Sequence, residues 1–211
     1  MPVEGKRIGV PYPMYMNIAQ QPVCEAMDNV IRLFKQGGAH IVELNSLDPD
    51  EYFTNSCRKL RSCEAYAQQR EVLDKYPDKI NPEVLTNLKA AENFKAFEYI
   101  DSLKAQKEFK EHFRKYVKDL DFIIFPTLPV LPPNIGQREV TVAGGTSRHV
   151  FMTLHLFTLI ANFTGFPALS MPCAVGPENL PIGLELMGVA LSETKIYRAA
   201  HWLEQQLGKL Y

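Results

Sequence analysis

Residues 7–44 carry the pattern that most constrains this chain. Arg7-Ile8-Gly9-Val10 is a short apolar run stopped by Pro11 and Pro13, which predicts a buried strand. From about Gln21 to Gln36, Val23, Met27, Val30, Ile31 and Phe34 recur near helical spacing, and Gly37-Gly38 follows as a C-terminal stop. Ala39-His40-Ile41-Val42-Glu43-Leu44 then reads as a second strand. Strand, helix, glycine turn and strand in so short a span is a βαβ unit, and such units build parallel sheets covered by helices.

The remainder extends that plan. Residues from about 50 to 120 read as mainly helical, divided at Pro77 and Pro82. Leu103, Phe109, Phe113, Tyr116, Val117 and Leu120 form one apolar stripe, and the charges between Lys104 and Asp121 read as its solvated face. Phe122-Ile123-Ile124-Phe125 has the unbroken apolarity of a strand buried on both faces. A long loop from Pro126 to about Ser147 follows, of the kind that forms lids or binding loops. Residues 150–166 are apolar but interrupted by Thr153, His155, Thr158, Asn162 and Thr164, which favours a buried helix over a membrane span. Ala168–Met171 and Ile182–Met187 read as strands around the turn Gly176-Pro177-Glu178-Asn179, and a last helix starts at Ser192. One domain over residues 1–211 is expected, of α/β class with a mixed sheet flanked by helices.

Composition removes several function classes. With 23 Lys and Arg against 24 Asp and Glu, the net charge is −1, which argues against nucleic-acid binding and against a polybasic membrane surface. Cys24, Cys57, Cys63 and Cys173 form no CxxC pair, so no zinc site is expected. The first residues lack the apolar core of a signal peptide, and reduced thiols in the cytoplasm are the expectation.

Candidate chemistry is sparse. No two histidines stand at metal-ligand spacing on one helix face. His155, inside the apolar helix, reads as a hydrogen-bonded core residue. Cys173 with His149 or His155 could form a cysteine nucleophile, but no local activating signature accompanies it, and a buried structural thiol is the better reading. Gly144-Gly145-Thr146-Ser147 fits no phosphate loop or nucleophile elbow and reads as loop flexibility. Ser170 falls in an expected buried strand, a poor position for an attacking hydroxyl. Ligands of open α/β sheets bind beyond the carboxyl ends of strands, which points to the loop after Pro126.

The last third carries a resemblance. Asn162-Phe163-Thr164-Gly165-Phe166-Pro167-Ala168-Leu169-Ser170-Met171-Pro172-Cys173 and Leu180-Pro181-Ile182-Gly183-Leu184-Glu185-Leu186-Met187-Gly188 resemble the C-terminal signature of the amidase signature family. Asp121 to Thr127 resembles the strand leading to that family's Pro-Thr loop, and Gly5 to Val10 the strand that opens its second half. Glu185 stands where the family more often has Gln, a change expected to matter little. The resemblance begins within the first five residues, which implies an upstream part. It also implies hydrolysis of carboxylic amides without metal or organic cofactor.

Family members use a Ser nucleophile, a bridging Ser and a Lys, all in the N-terminal half. No Gly-Ser-Ser-Gly stretch and no match to those three positions occurs here, so no catalytic residue is expected in this chain. Glu64 is followed by Ala65-Tyr66-Ala67 rather than Ala-Ser-Ser, which favours a general amidase over the glutamyl-tRNA amidotransferase branch. Thr127 and Leu128, by strand-end position, and Phe151, by its helix, are the expected pocket residues. The expected partners are a small amide substrate and either a catalytic N-terminal half or a second copy. The alternative is a catalytically silent binding or structural module.

Overall fold

A computed structural model describes residues 2–45 and 51–210, with side chains described outside 51–54. The chain divides into two compact units, Met1–Asp48 with Phe113–Tyr211, and Pro49–His112.

The first unit is built on a five-stranded mixed sheet. Strands β1 (Arg7–Val10), β2 (His40–Glu43), β3 (Phe122–Pro126), β6 (Ala168–Val175) and β7 (Pro181–Gly188) lie in the order β2-β1-β3-β7-β6. β1 runs parallel to β2 and β3, as the βαβ pattern predicts, whereas β7 is antiparallel to both β3 and β6. Every residue of β3 is buried, which matches its unbroken apolar sequence. Gly9 is required by crowding: a Cβ there would lie 2.6 to 2.8 Å from Leu120, Leu44 and Ile123 side-chain atoms.

Helix α2 (Gln21–Gln36) buries Val23, Ala26, Met27, Val30, Ile31 and Phe34, the stripe expected from its sequence. The two glycines after it serve different ends. Gly38 takes a positive φ of 85°, while Gly37 leaves room for Trp202, whose ring a Cβ would meet at 2.5 Å. Trp202 belongs to α8 (Glu193–Leu207) and stacks on Phe34 with ring centroids 5.5 Å apart. Phe34 also meets Phe122 of β3 edge-on at 6.0 Å. This aromatic chain fixes both helices on one face of the sheet.

Between β1 and α2, Tyr12–Met16 adds a short helix α1, with Pro13 in its first turn where a missing N–H costs nothing. The segment after β3 is more ordered than its sequence suggests. β4 (Glu139–Thr141) pairs with β5 (Ser147–His149), and Gly144 and Gly145 form the turn at φ of 72° and 78°. Those glycines thus meet a backbone requirement rather than giving flexibility. The Gln20 side chain donates to the Thr141 carbonyl and accepts from the Leu131 N–H, each at 2.9 Å. Val130, Val140 and Val142 pack with Ile18, Val150 and Leu154 into a small core beneath.

The apolar stretch 150–166 forms two helices rather than one, α6 (Val150–His155) and α7 (Leu159–Thr164). Thr153, Thr158 and Thr164 hydroxyls donate to the carbonyls of His149, His155 and Ile160. The turn between the helices tightens to three-residue spacing, Leu156 N to Thr153 O and Ile160 N to Phe157 O. Threonine hydroxyls that compete for helix carbonyls account for the break. Gly165 closes α7 in the left-handed conformation, φ 67°.

Ahead of α8, Leu191 holds φ +64° while 93% exposed. A β-carbon is strained there and the side chain gains no burial in return. Leu191→Gly is expected to stabilise the chain by about 0.5 to 1 kcal/mol, seen as a higher urea midpoint.

The second unit is helical, as expected, with α3 (Glu51–Lys75), α4 (Pro82–Lys89) and most of α5 (Ala96–Tyr116). Both prolines mark boundaries. Pro77 opens a short 3-10 turn, and Pro82 opens α4 behind Asn81, whose carboxamide oxygen accepts from the Glu83 and Val84 N–H groups. Lys59 pairs with Glu98 at 2.8 Å, and the Tyr66 hydroxyl donates to Glu92. Leu103 departs from the expected stripe: it is exposed, and Ser102 and Ala105 take the buried positions.

Among the described residues, no helix is long and apolar enough to cross a membrane.

Candidate functional site

The strand order decides which polar groups meet. β3 ends at Pro126, opposite Leu184 of β7, so Thr127 lies opposite Gly183 and its N–H donates to the Gly183 carbonyl at 2.9 Å. β6 lies on the other side of β7, and there Ser170 pairs with Glu185. Residues directly opposite in an antiparallel pair share a sheet face, and so do alternate residues along a strand. Thr127, Phe125, Gly183, Glu185 and Ser170 therefore occupy one face.

On that face the Thr127 and Ser170 hydroxyls are 2.7 Å apart. They reach each other across β7 because Gly183 has no side chain: a Cβ there would lie 2.9 Å from Thr127 Oγ1 and 3.5 Å from Ser170 Oγ. Glu185 is 3% exposed and, among the described residues, has neither a hydrogen-bond nor an ion-pair partner. Burial alone pushes its carboxyl up to about 7, so it holds its proton through mildly acidic solution. Phe125, fully buried, stands beside it and meets Phe157 edge-on at 6.3 Å.

Of the residues expected at a pocket, Thr127 and Leu128 are half-buried at the end of β3, where strand-end reasoning puts them. Phe151 is half-buried on α6 with its ring 4.4 Å from that of His155. The hydrogen-bond partners of Thr127 come from β6 and β7 rather than α6. Ser170, Gly183 and Glu185 are absent from the sequence expectation. Ser170 corrects it directly, since β6 is an edge strand and this serine is exposed. Period-two alternation in β7 is the available signal, because it sets Gly183 and Glu185 on one face.

The cysteine alternative loses its geometry. Cys173 is 1% exposed, and burial drives its thiol up to about 12, away from the thiolate a nucleophile needs. The His155 Nδ1 atom is engaged with the Phe151 carbonyl at 2.7 Å.

Comparison with known proteins decides the family. The family model described as Amidase matches residues 2–197. This chain belongs to the amidase family. Its sheet and flanking helices superpose on a crystal structure of an amidase with a TM-score of 0.88, at 22% identity over 97% of this chain and 46% of that one. A bacterial aryl acylamidase of the amidase signature family gives 0.79, at 17% identity over 96% of this chain and 44% of that one.

Two curated relatives match along nearly the full chain. One component of the glutamyl-tRNA(Gln) amidotransferase from Alkaliphilus metalliredigens is 26% identical over 98% of this chain and 45% of its own length. An indoleacetamide hydrolase from Rhizobium radiobacter is 27% identical over 100% of this chain and 49% of its own length. The chain thus spans about half the length of these amidase relatives. The two identities are so close that they do not separate the amidotransferase branch from the general amidases.

Proposed function

We propose that this chain supplies the acyl-pocket half of an amide hydrolase whose nucleophile lies in the other half of the amidase fold. The match to about half of each full-length relative carries this reading. In it, Thr127, Leu128 and Phe151 line the pocket for the acyl group of a small amide, and no cofactor takes part. Acyl transfer needs an activated nucleophile and oxyanion donors. The sequence contains no adjacent pair of serines, which supports placing the nucleophile in the complementary half. The setting is cytoplasmic, in keeping with four free cysteines.

The sheet edge supports a partner. Among the described residues β6 pairs only with β7, and Ala168, Ser170, Pro172 and Val175 along it are exposed. An unpaired edge strand with open side chains favours association. Sedimentation at micromolar concentration is expected to report a species heavier than the 24.0 kDa monomer, or a complex with a polypeptide bearing a Ser-Ser-Gly loop. A monomer at all concentrations, with no co-purifying chain, contradicts the pairing. It would favour the second reading, a silent binding or structural module, which the absence of paired serines supports.

A further inference from the structure

The loop between β3 and β4 holds an isoleucine in solvent on a rigid support. The Gln137 N–H donates to the Asn134 carbonyl at 3.0 Å and closes a β-turn, with Gly136 at φ 83° in the third position, where a type II turn needs a positive value. The Gln137 side chain braces the turn. Its Oε1 accepts from the Asn134 N–H at 3.0 Å, and its Nε2 donates to the Glu139 carbonyl at 2.7 Å. Both flanks are tied down, Leu131 by its N–H to the Gln20 side chain and Arg138 by its carbonyl to the Val150 N–H. Ile135, at the tip, is fully exposed. Single apolar side chains on a surface are common, but one fixed by its own turn loses little entropy when a partner buries it.

Two arginines stand close by in the chain. Arg148 lies opposite Val140 in the β4–β5 hairpin, and Arg138, two residues before Val140, is on the same face. On that face Val140 packs with Val150, Ile18 and Leu154, while both arginines are exposed. Among the described residues neither guanidinium has a hydrogen-bond or ion-pair partner. Glu139, the hairpin's carboxylate, alternates to the opposite face and accepts from the Ser147 hydroxyl at 2.6 Å. Two like charges at diagonal positions of a hairpin are thus left without a counter-charge from the chain.

We propose that Ile135, Arg138 and Arg148 form a docking surface for a partner protein that offers an apolar socket rimmed by carboxylates. Ile135 fills the socket, and the planar guanidinium groups take carboxylates in two-pronged hydrogen bonds. Arginine is among the residues that interfaces concentrate, and its pairing with an acidic rim supplies register and association rate. A protein fits this surface better than an anionic membrane, because one isoleucine and two cations fall short of what stable membrane anchoring takes. The surface does not depend on the amide-hydrolase reading.

The test is an NMR titration of the whole chain with acetyl-Asp-Leu-Phe-Asp-amide, with its counterpart acetyl-Lys-Leu-Phe-Lys-amide, and with phosphatidylserine vesicles. The acidic peptide is expected to give saturable shifts at the backbone amides of Ile135, Gly136, Arg138 and Arg148, with the basic peptide weaker by about fivefold or more. Binding of the acidic peptide should weaken as salt rises from about 0.05 to 0.5 M. Ile135→Ser, at a fully exposed position where folding is not at stake, should weaken it by about threefold. Arg138→Gln combined with Arg148→Gln should weaken it by about fivefold and remove the salt dependence. Arg138→Lys combined with Arg148→Lys keeps the charge and should keep the salt dependence. Equal binding of the two peptides, no saturable shift at these residues, or full binding by Ile135→Ser or by the double glutamine variant overturns the docking surface. Preferential binding to the vesicles would make the surface a membrane contact, and shifts there on concentrating the chain alone would make it a contact between copies; either result also overturns the proposal. None of these results bears on amide hydrolysis.

Discussion

Glu185→Gln is expected to stabilise this chain by about 3 kcal/mol above pH 7 and to leave it nearly unchanged below pH 4. The sign follows from the proton. In the folded state burial holds the carboxyl at about 7, against 4.5 for the free group. Between those values the folded chain binds more protons than the unfolded chain, so stability falls as pH rises through the window and levels off beyond it. Glutamine has nearly the same shape and no charge to desolvate, so the variant lacks that decline. Urea unfolding from pH 4 to 8 measures it as the difference between variant and parent, which cancels the other titrating groups. Parallel curves would mean that Glu185 ionises in the fold as freely as in water.

Phe125→Ala should cost about 4 kcal/mol and lower the melting temperature by roughly 10 °C. Phe125 is fully buried near the carboxyl end of β3, opposite Glu185 of antiparallel β7. Its ring meets Phe157 at 6.3 Å, and deleting it leaves a cavity walled by regular strands that have little freedom to collapse. The same change opens the sheet face beside Glu185, its cross-strand partner, to water. Part of the penalty on that carboxylate should then be relieved. Phe125→Ala combined with Glu185→Gln is therefore expected to fall short of the sum of the single effects, as contacting residues generally do. Strict additivity in calorimetry would separate the two sites.

What the sequence reveals and conceals divides along physical lines. The β1–α2–β2 unit is legible because the apolar stripe of α2 and its two glycines are local signals. β3 is legible because a strand buried on both faces needs unbroken apolarity. β6 is legible as a strand but not as an edge, because Ala168 to Met171 has the composition of an interior strand while its position depends on the whole sheet order. Pro172 is the local hint, since a proline within a strand belongs at an edge. The hairpin of β4 and β5 escapes notice because three-residue strands carry almost no period. Glu185 shows the same divide at the site. Alternation fixes its face, but only the packed fold reveals that its side chain is buried there. A lone carboxyl in a strand carries little weight in sequence alone, and burial is what makes Glu185 consequential.

The central claim is that this chain holds pocket but no nucleophile. Ammonia release from a panel of primary amides tests it most directly, first with the purified 211-residue chain and then with an added polypeptide carrying the Ser-Ser-Gly half of an amidase. No turnover by the chain alone, and turnover in the mixture, is the predicted result. Steady ammonia release by the chain alone would contradict the account and require a nucleophile among its own residues.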